Sequence, residues 1–364
     1  MALGDTVLGG VWVMSSLVTV FVGVDAEWAR ETLAACPSLE AGCRPPRWAR
    51  NGHVQAALSL TLDDRAPDLA SDAEERLTAP DGGTVSLEWS GLDEPADTPV
   101  LVALHTICGS GHALRRFVRE MRRQLGWVVV ACNRRGHAGL PLTAPRINTM
   151  GFVEDLDLQL DRIEARRPGA RLYGVGISAG SGLLVRYLGE KGTASRFCAG
   201  VAVCPAYSIP DGLVHAHRGY DAYLTRKMIG YFLERHRAVL GRVDGFGDCA
   251  SARTMVEFHE RLAPLAGYDD YEAYLEASDP MRVAPDVTTP VLVLNSLDDP
   301  VCSVKNVYRH RLVLQQRPRM LTALTRFGGH CGFFERVSRQ GSWSDRAVAE
   351  FLAAEEDLSR ERAR

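Results

Sequence analysis

The chain has 364 residues with 46% apolar and 24% charged side chains, the balance of an ordinary globular protein. A net charge of −3 offers no basic face for nucleic acid. Nine cysteines stand singly, without a C-x-x-C pair; the ten histidines show no metal-ligand spacing, and no dinucleotide or P-loop fingerprint occurs, so neither cofactor nor metal is expected.

The amino-terminal 1–44 reads as a separate segment. From Thr6 to Val24 no residue carries charge, and the length nearly matches the roughly 20 residues of a spanning helix. This predicts a single membrane anchor over 6–24, with a helix packed on the protein's own surface as the alternative. The protein is therefore expected at a membrane or in the cytoplasm. Cys36 and Cys43 are close enough in sequence to pair in an oxidising compartment.

From 45 to 358 apolar strand-like runs alternate with helical periodicity. Strands are predicted at Val85 to Trp89, Pro99 to His105, Trp127 to Cys132, Leu172 to Ile177, Ala199 to Val203, Val291 to Leu294 and Leu321 to Thr325. Helices are predicted over Ala113 to Leu125, with a solvated basic face from Arg115 to Arg123, over Phe152 to Arg167, and over Asp345 to Leu358, capped at Ser342 or Ser344. Such alternation implies an α/β protein: a mostly parallel sheet with helices on both faces. Between about 206 and 285 the pattern breaks into polar and aromatic sequence, which predicts a cap inserted over the catalytic edge. Cys132, Cys204 and Cys302 lie in or beside strand-like runs and read as small hydrophobes.

The strand Leu172 to Ile177 empties into Gly176-Ile177-Ser178-Ala179-Gly180. A serine hydroxyl needs exposure beside a base to act as a nucleophile, and a tight strand-to-helix turn exposes it. The crowded turn leaves room only for small residues two before and two after, which Gly176 and Gly180 provide. In α/β hydrolases the acid and then the histidine follow the serine, each in a loop after a strand. Asp298-Asp299-Pro300 and Gly328-Gly329-His330 stand in that order. The reading is a Ser178, Asp299, His330 triad, with Asp298 competing for the acid's role and the flanking glycines giving the histidine loop flexibility. The oxyanion would be met by the N–H groups of Ala179 and Ile107. His105 reads as a structural histidine bonding loop backbone, and Arg135 as an arginine tying loops together rather than an anion site.

Taken together, these motifs resemble the ABHD/YheT-like branch of the α/β hydrolases. The likeness covers about Pro45 to Phe351 and rests on Trp48-Ala49-Arg50-Asn51-Gly52-His53-Val54-Gln55, the Pro80-Asp81-Gly82-Gly83 turn with Leu87-Glu88-Trp89, and Asn133-Arg134-Arg135-Gly136. It continues through the elbow, Gly267-Tyr268 with Tyr271 and Tyr274, Asp298-Asp299-Pro300, and Gly328-Gly329-His330-Cys331-Gly332-Phe333. The resemblance implies a serine esterase or lipase acting on acylglycerols, phospholipids or medium-chain esters, and several members carry an amino-terminal anchor. It also assigns the triad to Ser178, Asp299 and His330. Two departures stand out. Thr106 replaces the usual glycine after His105, and no histidine has aspartate in the His-x-x-x-x-Asp spacing credited with acyl transfer. Transfer to an alcohol by the same triad, or a silent fold serving as a binding module, are the competing expectations.

Overall fold

The computed structural model describes residues 10–64, 71–212, 214–336 and 341–363. In chain order the strands are β1 (Val11–Ser15), β2 (Val18–Val22), β3 (Ala73–Thr78), β4 (Thr84–Ser90), β5 (Val100–Leu104), β6 (Val128–Asn133), β7 (Leu172–Ile177), β8 (Phe197–Val203), β9 (Val291–Ser296) and β10 (Met320–Thr325). They form one sheet in the order β1-β2-β10-β9-β8-β7-β5-β6-β4-β3. The run β10-β9-β8-β7-β5-β6 is parallel, flanked at each edge by antiparallel strands. All seven strands expected from the sequence are present.

Alternation along each parallel strand feeds two cores. In β5, Leu101 and Ala103 face a layer built by α1 (Ala26–Ala34), α2 (Pro37–Ala41) and the closing helix Trp343–Ala363. Val100, Val102 and Leu104 face the opposite layer. α4 (Arg115–Leu125) joins the first layer through Phe117, Val118 and Met121, α3 (Gly52–Asp64) precedes β3 in the chain, and the second layer holds α5 (Val153–Arg166) and α6 (Ala179–Lys191). Each fully buried Leu or Val contributes about 1.5–3 kcal/mol. The closing helix starts on a reciprocal cap: Asp345 N–H donates to Ser342 Oγ at 3.2 Å, and Ser342 N–H to Asp345 Oδ2 at 2.6 Å.

Two expectations are corrected. Residues 11–22 form a strand pair, not a spanning helix: β2 runs antiparallel to β10, and Val18, Val20, Phe21 and Val22 are buried. Among the described residues no helix is long and apolar enough to cross a membrane, and residues 6–9 of the expected span lie outside them. Nor is 10–44 a separate unit. Trp28, Leu33 and Leu39 share the core of the parallel sheet, and Trp28 Nε1 donates to Glu355 Oε1 of the closing helix at 2.7 Å. Cys36 and Cys43 are buried free thiols in that core.

The second correction concerns the basic face of α4. Arg115 and Arg116 are buried, and Arg116 reaches Asp345 at 2.6 Å while lying over the Phe334 ring. Arg122 is shared by Glu94 at 2.9 Å and the Trp127 carbonyl at 2.8 Å. These arginines join elements instead of facing water.

Between β8 and β9 the chain is helical. Arg218–Met228, Ile229–Leu233, Phe246–Ala250, Met255–Glu260 and Tyr271–Ser278 gather around their own apolar cluster, including Leu233, Leu240, Phe258, Leu265 and Tyr274. These helices lie over the carboxyl ends of the parallel strands.

Candidate active site

Strand order reverses at β5: β6 lies on one side and β7 on the other. The loops after β5 and β7 therefore diverge beside a crevice, the place where ligands of open α/β sheets bind. Ser178 sits at the end of β7 with φ 54° and ψ −116°, a conformation costing a non-glycine residue about 1–3 kcal/mol. The turn is pinned by Ser178 N–H to the Val203 carbonyl at 2.8 Å and Ser181 N–H to the Ser178 carbonyl at 2.9 Å. The two glycines are sterically required. A Cβ on Gly176 would stand 2.3 Å from the Gly180 carbonyl oxygen, and one on Gly180 would stand 2.2 Å from that of Leu104.

Ser178 Oγ lies 3.0 Å from His330 Nε2, and His330 Nδ1 lies 2.9 Å from Asp299 Oδ2. Asp299 has a fully buried side chain, and its Oδ1 accepts the N–H groups of Val301 at 2.8 Å and Cys302 at 2.9 Å. That leaves Oδ2 for Nδ1–H, so Nε2 is free to accept the serine proton. Burial disfavours a charged imidazole here, but the Asp299 carboxylate outweighs it, joined by the neighbouring Cys331 and Cys302 thiols, and the His330 pKa is raised well above its ordinary value. Asp298, the competing acid, turns elsewhere. Its Oδ1 accepts Gly329 N–H at 2.9 Å, bracing the histidine loop, while burial pushes its carboxyl pKa up.

The glycines around His330 serve close packing, a different role from the flexibility expected. A Cβ on Gly329 would stand 2.4 Å from the Gly52 carbonyl oxygen, and one on Gly328 2.4 Å from the Phe333 ring. Buried Gln55 of α3 completes the junction. Its Nε2 donates to the carbonyls of Ala49 and Phe334, both at 3.0 Å, and its Oε1 accepts Phe334 N–H at 2.8 Å.

Ala179 N–H is the first of α6, among the donors a helix start leaves without an internal partner. Ile107 lies in the loop after β5, and both residues line the same cavity as Ser178 and His330. His105 is structural, as expected: Nδ1 meets the Thr106 carbonyl at 2.8 Å, and burial with the nearby Arg134 charge holds its pKa well below the usual value. Arg135 ties loops, bonding both Asp155 oxygens at 2.6 and 2.7 Å and Asp81 at 2.5 Å. Arg134 was missed by the sequence reading. Its buried guanidinium donates to the carbonyls of Thr106 at 2.6 Å and His105 at 3.3 Å, and His137 Nε2 meets the Ile107 carbonyl at 3.0 Å. The loop carrying the expected oxyanion donor is thus held from behind by side chains, where Thr106 replaces the usual glycine.

The cavity has a volume of about 430 Å³. Its floor is the elbow and the histidine loop, and its roof is the helical insert, with Leu224, Met228, Phe232, Phe258 and Tyr274 among the lining residues. Two groups of possible ligand atoms, Cys204 with His330 and Cys331, and Asp299 with Cys302 and His330, each lie within 4.8 Å of one another. Both use the imidazole already shared by Ser178 and Asp299, so a cation there would compete with that pair.

Residues 96–335 match the family described as serine aminopeptidase, S33. The chain is 30% identical to Protein ABHD15 of Homo sapiens over 93% of its own length and 76% of that protein's. It is 26% identical to Phospholipase ABHD3 of Homo sapiens over 88% of this chain and 80% of that one. A hyperthermophilic esterase from the archaeon Pyrobaculum calidifontis superimposes with a TM-score of 0.54 over 93% of this chain and 99% of its own, at 16% identity, a likeness of fold. The chain belongs to the ABHD-type family of α/β hydrolases, the family of esterases and lipases.

Proposed function

We propose that the protein is a serine hydrolase of carboxylic esters with an apolar acyl chain, drawn from acylglycerols, phospholipids or medium-chain esters. One observation carries the reading: the continuous relay from Ser178 Oγ to His330 Nε2 at 3.0 Å and from His330 Nδ1 to Asp299 at 2.9 Å, at the foot of an apolar cavity. Ser178 Oγ attacks the ester carbonyl carbon as His330 Nε2 takes its proton. Asp299 holds the imidazolium in place, and general base catalysis of this kind contributes about 10²–10⁴-fold. The N–H groups of Ala179 and Ile107 receive the negative oxygen, each such donor being worth on the order of 10²–10³-fold. His330 returns the proton to the departing alcohol, then activates water against the acyl-enzyme.

The lining supports an ester over a peptide. Among the described residues the carboxylate that lines the cavity, Asp345, is already engaged by Arg116 at 2.6 Å and is not available to hold a peptide ammonium. The relative ABHD3 is named a phospholipase, which points the same way. The test is a panel of nitrophenyl esters graded by acyl length, run beside aminoacyl amides and with and without added alcohol. Turnover of esters to free acid that disappears in Ser178→Ala is expected. Preference for the amides, or dominant exchange to the added alcohol, would overturn the hydrolase reading.

A further inference from the structure

Three thiols surround His330, and ester hydrolysis uses none of them. Cys204 directly follows β8, Cys302 lies in the acid loop, and Cys331 follows His330 itself. Cys204 is fully buried, whereas Cys331 is half-buried and lines the cavity beside Ser178. Cys331 N–H points at Cys204 Sγ at 3.3 Å, and the two sulfurs lie within 4.8 Å of each other. Both residues have positive φ, 51° at Cys204 and 60° at Cys331, a region that side-chain-bearing residues seldom adopt. The backbone enforces this meeting: Cys204 N–H donates to the Leu294 carbonyl at 2.8 Å, and Ser296 Oγ donates to the Gly329 carbonyl at 3.0 Å. A disulfide needs sulfurs about 2.05 Å apart, so side-chain rotation with a small shift of the histidine loop closes the gap.

We propose that Cys331 and Cys204 form a peroxide-sensitive dithiol, whose oxidation to a disulfide draws the histidine loop off Ser178 and reversibly stops turnover. The loss of turnover rests on the hydrolase reading; formation of the bond does not. The order of events follows from access. Cys331 faces the cavity, so its sulfur attacks a peroxide oxygen; the O–O bond breaks, giving a sulfenic acid and one water. The Cys204 sulfur then attacks Cys331 Sγ and the S–O bond breaks. The departing hydroxide leaves with the Cys204 proton as a second water, so two thiols are oxidised and one peroxide is reduced. The hydrogen bond from Cys204, with His330 beside it, holds the Cys331 pKa below its ordinary value, while burial raises that of Cys204. The first thiol is therefore the more nucleophilic one at neutral pH. Because Cys331 is the next residue after His330, pulling its sulfur toward Cys204 displaces an imidazole whose 3.0 Å bond to Ser178 has little slack.

Full-length protein treated with hydrogen peroxide, alkylated and digested should yield a peptide joining Cys204 to Cys331, about 2 Da lighter than the free pair. Ester turnover should fall about tenfold or more in step with that peptide, and dithiothreitol should restore both. In Cys204→Ala the resolving thiol is gone, so peroxide should carry Cys331 to the sulfinic acid and dithiothreitol should not restore turnover. If that variant does not fold, the bridged peptide from wild type decides alone. Absence of the Cys204–Cys331 peptide overturns the proposal, as does a bridge from Cys331 to Cys302. A bridge formed with turnover intact overturns the switch. A protein that forms the bridge but never hydrolysed esters contradicts the hydrolase reading and leaves the dithiol standing.

Discussion

The floor and the roof of the cavity are built by different means. On the floor, backbone meets backbone so closely that no methyl group fits at Gly176, Gly180 or Gly329, and Ser178 is held in a conformation few residues tolerate. The roof is an assembly of side chains, Leu224, Met228 and Phe232 among them, packed on a cluster of its own. Interlocked backbone has one arrangement, which suits reacting atoms that must stay within a few tenths of an ångström. Side-chain packing accepts changes of shape, which suits selection among acyl chains. On the proposed function, the chemistry belongs to the floor and the choice of substrate to the roof.

The largest test of that division is Ser178→Ala, which removes the nucleophile and should lower kcat on the order of 10⁵–10⁶-fold without changing the thermal midpoint downward. Alanine keeps the Cβ and with it the strained φ, so the thermal midpoint should hold close to that of wild type. Asp299→Asn should cost on the order of 10⁴-fold, because an amide favours the wrong imidazole tautomer. Gly180→Ala should destabilise the fold by about 1–3 kcal/mol in denaturant titration, since its Cβ has 2.2 Å to the Leu104 carbonyl. At the roof, Leu224→Ala should shift the preferred acyl length, changing the ratio of kcat/KM between short and long esters about tenfold while kcat on short esters holds. If the Gly180 variant is as stable as wild type, or the Leu224 variant loses turnover on every ester alike, the division fails.

pH dependence sharpens the same contrast. The base must be neutral to accept the serine proton, and the His330 pKa is raised. The acid limb of kcat/KM should therefore lie above about 6.5, the ordinary histidine value. Stability runs the other way. A pKa higher in the folded than in the unfolded chain contributes stability in full below about pH 6.5, and that contribution is lost as pH rises through the folded value. A kcat/KM limb below the ordinary value would contradict the geometry of the Asp299–His330 pair.

Much of the floor was legible in the chain because its signals are local. An apolar run followed by Gly-x-Ser-x-Gly specifies a strand, a turn and a helix start, and the acid and histidine loops follow in a fixed order. Asp299 could be preferred over Asp298 from the resemblance and the following proline. The structure adds the physical reason, since Val301 and Cys302 N–H groups hold Asp299 Oδ1 and aim Oδ2 at His330. What escaped the sequence depends on partners far along the chain. Thr6 to Val24 looks like a span because the buried strand β2 and a membrane helix share composition, and Gly9, Gly10, Ser15 and Ser16 only dilute the run. β3 is an edge strand of alternating burial, Ala-Glu-Glu-Arg-Leu-Thr, and its charges hid it. The α4 arginines read as solvated until Asp345, more than two hundred residues on, reaches Arg116. The three thiols around His330 come from three separate loops, so no spacing announced them.

The central claim is that Ser178 is an activated nucleophile, and reaction with a fluorophosphonate probe tests it most directly. The account predicts stoichiometric labelling of wild type at Ser178, slowed strongly in His330→Ala and absent in Ser178→Ala. Unlabelled wild type, or equal labelling of the Ser178→Ala variant, would contradict it.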